Sequence, residues 1–185
     1  MKVLIAYYSE TGNTEKIARA IYDEASKDHD AHLKKIIGIT ADKFNDYDLV
    51  FLGSACHSSD LAAPVKIILD GISKSPNFKL AGFFTHSTVL PDDSFDRARK
   101  LYERWAGKCS KSFEKVSKEK PIEFKGYYHC MGAPSPEIER FIHRKILTSA
   151  NEWEEYIKEA RKHPTTEDIK RAKEFAREVL DEFHC

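Results

Sequence analysis

An α/β sandwich, a parallel sheet covered by helices on both faces, is the fold class the sequence predicts. Apolar runs of strand length alternate with segments of helical spacing along most of the chain. The first run, Lys2-Val3-Leu4-Ile5-Ala6-Tyr7-Tyr8, is nearly continuous rather than alternating, as in a strand buried on both faces. Strands joined through helices make parallel pairing with right-handed crossovers the economical arrangement. With 185 residues and 41% apolar content, the chain can bury one substantial core, and a single domain over 1–185 is expected.

The elements follow in order. Behind the first strand, Ile17, Ala18, Ile21 and Ala25 take the spacing of a helix with one apolar face. A second strand is expected around Leu33-Lys34-Lys35-Ile36-Ile37 and a third over Tyr47 to Ser54, whose apolar centre is bounded by turn residues. After Pro64, the positions Val65, Ile68, Leu69 and Ile72 predict a helix. Phe78 to Phe84 reads as the next strand, followed by a helix from about Ser94 to Trp105. The stretch 117–121, Ser-Lys-Glu-Lys-Pro, reads as a solvated connection, and Glu123 to Met131 as the last strand. Residues 137–163 are helix-prone and heavily charged, and are expected to form a helical insertion, an appendage before the terminal helix. That helix has its apolar face at Ile169, Ala172, Ala176, Val179 and Phe183; Thr165 is placed to cap it, with Glu167 and Asp168 in its first turn.

Charge and composition narrow the function. Lys plus Arg and Asp plus Glu stand at 30 each, so no net field favours nucleic acid or an anionic membrane. The apolar start is broken too soon by Ser9 to act as a signal sequence, and no later run could span a bilayer, so a cytoplasmic protein is expected, with neither nucleic acid nor membrane as partner. The four cysteines, Cys56, Cys109, Cys130 and Cys185, are widely spaced and expected as thiols. His129-Cys130 and His184-Cys185 lack the paired spacing of a zinc site, so no metal is expected. Cys56-His57 does not suggest an activated nucleophile, because adjacent residues diverge in direction and no third orienting residue is identifiable. Tyr127, Tyr128, Trp105 and Trp153 read as core or rim aromatics, with Trp153 a partner anchor if exposed.

The most informative stretch is Ser9-Glu10-Thr11-Gly12-Asn13-Thr14, where the first strand empties into the first helix. A helix N-terminus offers unsatisfied N–H groups and partial positive charge, so a phosphate sits there well. Ser9, Thr11 and Thr14 add hydroxyls, Gly12 lets the backbone come close, and Asn13 can support a left-handed turn. Neither Gly-x-x-x-x-Gly-Lys-Ser/Thr nor Gly-x-Gly-x-x-Gly is present, which leaves a single terminal phosphate as the ligand, or else simple capping of the helix by Thr11 or Thr14.

This loop resembles that of the flavodoxin family, Ser/Thr-x-Thr-Gly-Asn-Thr after the first strand. Tyr47-Asp48-Leu49-Val50-Phe51-Leu52-Gly53-Ser54, followed by Leu61-Ala62-Ala63-Pro64, is similar to the family's third strand and the flavin-ring loop behind it. The resemblance covers residues 1–130 and the terminal helix. It implies a flavodoxin-like three-layer sandwich, a five-stranded parallel sheet in the order 2-1-3-4-5, with FMN outside the carboxyl ends of the strands at the switch point.

The resemblance further implies that Ser9, Thr11, Gly12, Asn13 and Thr14 cradle the FMN phosphate, with Glu10 contributing its backbone. By family position, Ser54, Ala55, Cys56 and His57 pass one edge of the ring, and Thr85, His86 and Ser87 another. Family members often place Trp or Tyr against the ring and Gly in the first ring loop; here Cys56 and His57 replace the Gly, and His57 and His86 are the available planar groups. The first expectation is an FMN-binding electron carrier serving redox partner proteins. The second is an FMN-dependent oxidoreductase using NAD(P)H and a quinone or similar small acceptor, suggested by the absence of the acidic excess common in the carriers. The third is a flavin-free binding module of the same fold.

Overall fold

The structure, a computed structural model, describes residues 1–88 and 96–183. The element order is β1 (Lys2–Tyr7), α1 (Asn13–Ala25), β2 (Asp30–Lys35), a 3₁₀ segment (Ala41–Asp46), β3 (Leu49–His57), β4 (Asp60–Leu61), α2 (Ala63–Gly71), β5 (Lys79–His86), α3 (Asp96–Trp105), α4 (Gly107–Glu119), β6 (Phe124–Met131), α5 (Pro136–Lys145), α6 (Ala150–Ala160) and α7 (Thr166–Asp181). The long strands pair in parallel in the order β2-β1-β3-β5-β6, and the two-residue β4 turns back antiparallel on the end of β3. The parallel strands alone give the order 2-1-3-4-5 that the family resemblance implied; β4 makes the sixth strand.

Each central strand buries both faces, which is why its sequence is continuously apolar. Leu4, Ala6, Val50, Leu52, Leu80 and Phe84 point into one core with Val65, Ile68 and Leu69 of α2 and Cys109, Phe113 and Val116 of α4. Val3, Ile5, Leu49, Phe51, Ala81 and Phe83 point into the opposite core with Ile17, Ala18 and Ile21 of α1 and Ala172, Ala176 and Val179 of α7. Thr165 and Asp168 form a reciprocal capping box that starts α7, as the sequence foretold for the cap. α1 and α7 are further tied by Arg177 to the buried Glu24, 2.9 Å.

Several boundaries moved for physical reasons. β2 lies earlier than the apolar run suggested; it is an edge strand, Ile36 folds into the core just beyond it, and Ile37 is exposed. β3 continues past Ser54 to His57, so the expected ring loop is strand and hairpin. α4 escaped prediction because its buried stripe, Cys109, Phe113 and Val116, is set among serines and lysines behind Gly107. The supposed solvated connection includes the end of α4, and Lys120 donates to the carbonyls of Leu69, Asp70 and Ile72 at the end of α2. The predicted helix ending at Trp105 exists as α3; its expected start at Ser94 lies outside the described residues, as do His184 and Cys185.

Residues 137–163 are helical as expected. α5 and α6 share a small core of Ile142, Leu147, Tyr156 and Ala160, which Met131 of β6 joins to the sheet. Trp153 is half-buried and stacks on His143 at 4.6 Å, so its ring is spent between these helices rather than displayed as an anchor.

One irregularity positions side chains. β6 carries an extra residue against β5 between Leu80 and Gly82, where Gly126 takes φ +86°. Side chains alternate with period two, so one inserted residue swaps the faces of everything after it. The bulge therefore sends Tyr127 and His129 to the Phe84 side of the sheet and Cys130 to the other.

Phe113 is fully buried and stacks against Phe124, so Phe113→Ala should lose about 3–5 kcal/mol of stability. Urea unfolding monitored by circular dichroism measures this; a loss below about 1 kcal/mol would mean that α4 is not part of the core.

Candidate functional site

The loop between β1 and α1 lies at the switch point, where β1 is flanked by β2 on one side and β3 on the other and the connections leave in opposite directions. Gly12 begins the helix with φ +87°, and a Cβ built there would meet nothing within 4 Å: the space in front of the turn is open. The first helical bond runs from Lys16 N–H to the Gly12 carbonyl, so the N–H groups of Asn13, Thr14 and Glu15 precede it. Neither Thr11 nor Thr14 caps the helix. The Gly12 N–H bonds to Ser9 Oγ at 3.1 Å. Asn13 Nδ2 donates to Thr11 Oγ1 at 3.0 Å and to the Ala133 carbonyl at 2.8 Å. With its acceptor side taken by Asn13, the Thr11 hydroxyl has its own proton left to give, which suits an oxyanion. Thr14 points inward instead, its hydroxyl 2.8 Å from that of buried Thr85.

Opposite this loop stands the β3–β4 hairpin. His57 pairs with Asp60 across a two-residue turn in which Ser58 and Ser59 both have positive φ, 50° and 69°. That geometry is usually filled by Asn and Gly, so serine hides the hairpin in the sequence and stores strain there. The hairpin is clamped all the same. Buried Ser54 takes the Ala62 N–H at 2.9 Å, which commits its hydroxyl to the hairpin base. Asp60 receives Lys66 at 2.7 Å and Ser112 at 2.6 Å; although burial works the other way, these bonds and the Leu61 N–H hold its carboxyl below the ordinary range. At the mouth, His57 Nε2 lies 3.0 Å from Glu10, whose other oxygen takes the Tyr8 hydroxyl at 2.7 Å. Glu10 thus uses its carboxylate within the protein, while the sequence suggested only its backbone.

The two histidines of the predicted ring edges part company. His57 is partly exposed beside the cavity mouth, whereas His86 is buried. His86 Nδ1 donates to the Thr88 carbonyl at 3.1 Å, which leaves Nε2 to accept from His129 Nδ1, also at 3.1 Å. His129 lies stacked between Phe84 and Tyr102, with ring centroids 5.1 and 5.0 Å away. Burial, reinforced by His129 alongside and opposed by the Thr88 carbonyl, pushes His86 down to about 3; burial pushes His129 down to about 4. The pair is therefore neutral, and its tautomers follow from the one carbonyl that can only accept.

Between the loops lies a cavity of about 370 Å³ bounded by Glu10, Thr11, Asn13, Ala55, Cys56, His57, Ser58, Thr85, His86 and Ser87. Thus the sequence-chosen loops do converge; among the described residues the cavity wall omits Ser9, Gly12, Thr14 and Ser54, which act behind it. Sequence reasoning missed a third segment, Gly132, Ala133, Ser135, Glu137 and Ile138. Its signal was present: Gly132-Ala133-Pro134-Ser135-Pro136 follows a parallel strand and opens a helix, the pattern used for the first loop. A second cavity of about 330 Å³ adjoins the first, sharing Cys56, Ser58, Ser87 and Ile138. Its wall is apolar, with Trp105, Phe141, Ile142 and Leu147, and includes the Tyr156 phenol, which donates to the Ser87 carbonyl. No Lys or Arg stands among the described residues lining either cavity, so an anion at the first would be held by N–H and hydroxyl groups.

Comparison with known proteins agrees with this geometry. The family model of the flavodoxin domain matches residues 4–177. An uncharacterized protein of Methanocaldococcus jannaschii is 30% identical over 185 residues, covering 97% of this chain and 99% of that protein. Among solved structures, a flavodoxin from the domain Archaea superposes with a TM-score of 0.64 at 14% identity over 100% of both chains. Flavodoxin 2 of Bacillus cereus gives 0.63 at 21% identity, covering 98% of this chain and 99% of that one.

The neutral histidine pair sets a pH dependence. Unfolded, each histidine takes a proton near its ordinary value of about 6.5; folded, they resist it down to about 3 and about 4. The unfolded chain binds more protons throughout that window, so stability falls as pH drops through it, by up to about 1.4 kcal/mol per pH unit for each histidine. Urea midpoints at about pH 7 and about pH 5 should differ accordingly, with a smaller difference in His129→Phe. Equal wild-type midpoints would refute the buried neutral pair.

Proposed function

We propose, from the premise that this chain belongs to the flavodoxin domain family, that it binds FMN and passes electrons to and from it. The observation that supports this best is the open Gly12 turn: N–H groups at the start of α1 and the Thr11 hydroxyl face unfilled space at the mouth of a cavity running between two further strand ends. The donor set suits a phosphate on a neutral flavin, which needs no cation in its cradle. FMN would supply one- or two-electron redox chemistry at the first cavity.

The residues of the chain divide the remaining work. Thr11 and the N–H groups of Asn13 and Thr14 hold the phosphate, while Ser9 and Gly12 shape the turn. Ala55, Cys56, His57 and Ser58 flank the ring on the hairpin side, and Ser87, anchored by Tyr156, flanks it on the other. His57 is the histidine that meets the flavin; His86 and His129 support Ser87 and Thr88 from below as a neutral, uncharged floor. The chain acts as one domain with 137–163 as its appendage, exchanging electrons with redox partner proteins in the cytoplasm. No helix among the described residues is long and apolar enough to cross a membrane.

The apolar cavity next to the first supports a second reading, in which a small uncharged acceptor such as a quinone is reduced beside the ring at the expense of NAD(P)H.

Titration of the apo-protein with FMN, followed by flavin fluorescence, tests the cradle, with riboflavin as the control that lacks phosphate. FMN should bind at least about tenfold tighter than riboflavin, and Thr11→Ala should weaken FMN about tenfold or more while leaving riboflavin unchanged. Thr14 is kept intact, since its hydroxyl serves Thr85. Equal affinity for the two flavins would sink the phosphate cradle. With FMN bound, turnover of NAD(P)H and a naphthoquinone would select the enzyme; reduction through a protein donor alone would select the carrier.

A further inference from the structure

Cys56 and Cys109 come from distant parts of the sequence and are brought together where the β3–β4 hairpin packs on the start of α4. Cys56 is the next-to-last residue of β3, half-buried and part of both cavity linings; Cys109 lies in the first turn of α4 and is fully buried. Their contacts are reciprocal. The Cys56 thiol donates to the Trp105 carbonyl at 3.4 Å, just ahead of α4, and the Cys109 thiol reaches the Ser59 carbonyl in the hairpin turn at 4.0 Å. Lys108 N–H bonds that same carbonyl at 3.1 Å, so the two segments are pinned together by backbone as well.

The two side chains also belong to one packed cluster, Cys109 within it and Cys56 against it. Hydrogen bonding to Cys56 is the largest influence on the Cys109 thiol, ahead of burial, and both push it up. The buried Cys109 sulfur therefore holds its proton, while Cys56, which lines both cavities, is the sulfur open to a small reactant. Cys130 is the internal control: it is buried on the opposite face of the sheet.

We propose that Cys56, in the wall shared by the two cavities, and Cys109, buried behind it, form a reversible dithiol–disulfide couple. The oxidant is a small disulfide of the glutathione class, which reaches Cys56 through the cavity. The Cys56 thiolate attacks one sulfur of that disulfide; the S–S bond breaks, one thiolate leaves, and a mixed disulfide forms on Cys56. Cys109 then gives its proton to the released thiolate and its sulfur attacks Cys56, expelling the second thiolate, which takes back from solvent the proton that Cys56 had lost. Two protein S–H groups are oxidised by two electrons and one small disulfide is reduced to two thiols. The product ties the strained hairpin covalently to α4. The couple belongs to the chain's own thiols and does not depend on a bound flavin.

The test uses the full chain equilibrated over a series of reduced-to-oxidised glutathione ratios, quenched with acid, unfolded, alkylated and mapped by mass spectrometry. Two of the four thiols should be lost together, with the peptide of Cys56 joined to that of Cys109 and Cys130 alkylated throughout. Cys109→Ala should stop with one glutathione on Cys56, and Cys56→Ser should lose no thiol from Cys109; either variant suffices if the other fails to fold. Full alkylation of wild-type Cys56 and Cys109 at the most oxidising ratio, a wild-type mixed disulfide that never resolves, or a cross-link to another cysteine would overturn the proposal.

Discussion

The structure depends on a sheet whose central strands have no solvent face. β1, β3 and β5 must be covered on both sides, so helices take both faces, and the connections that carry polar groups are driven to the strand ends. At the switch point between β1 and β3 those connections diverge and leave a crevice. Two polar contacts then set its width: Thr14 joins the start of α1 to β5 through Thr85, and Asn13 joins the first loop to the one after β6 through the Ala133 carbonyl. Both partners are buried or half-buried, where an unmade hydrogen bond is costly, so three loops far apart in sequence are held in one arrangement.

The electrostatics of the crevice rest mainly on neutral hydrogen-bonding groups. Among the described residues its lining offers hydroxyls and no lysine or arginine. Glu10 and Glu137 also line it, yet the Glu10 carboxylate is engaged by Tyr8 and His57 and that of Glu137 lies 3.5 Å from Arg140. Deeper in, His86 and His129 are kept uncharged by burial, and the aromatic rings of Phe84 and Tyr102 enclose His129. A site with these features interacts with a ligand through directed hydrogen bonds and shape rather than through net charge, in keeping with a chain whose acidic and basic residues balance.

The walls come from features that look incidental along the chain. The hairpin at Ser58 and Ser59 is held by Asp60, Lys66 and Ser112, and it brings Cys56 against the end of α3 and Ser59 against α4. α5 and α6 enclose the apolar cavity from the far side, with Phe141 edge-on to Trp105 at 5.4 Å and Tyr156 holding the Ser87 carbonyl. The charged segment before the terminal helix is thereby part of the surroundings of the crevice.

Much of this was legible in the sequence because it rests on local chemistry. Continuous apolar runs mark strands covered on both faces, helical spacing marks α1, α2 and α7, and Thr165 with Asp168 announces its own cap. The first loop stood out because a glycine and clustered hydroxyls at the start of a helix are the pattern expected of a phosphate cradle. Other features were decided by tertiary structure alone, because they depend on which segments meet. Serines occupy the positive-φ turn of the hairpin without a sequence signal, and α4 has a buried stripe too sparse to stand out. The bulge at Gly126 chooses the face of His129, and with it the partner and charge state of His86. Side-chain direction after a one-residue shift, and contact between residues about fifty positions apart such as Cys56 with Trp105 and Ser59 with Cys109, are properties of the packed sheet and its covering helices, fixed only when long-range burial outweighs local preference.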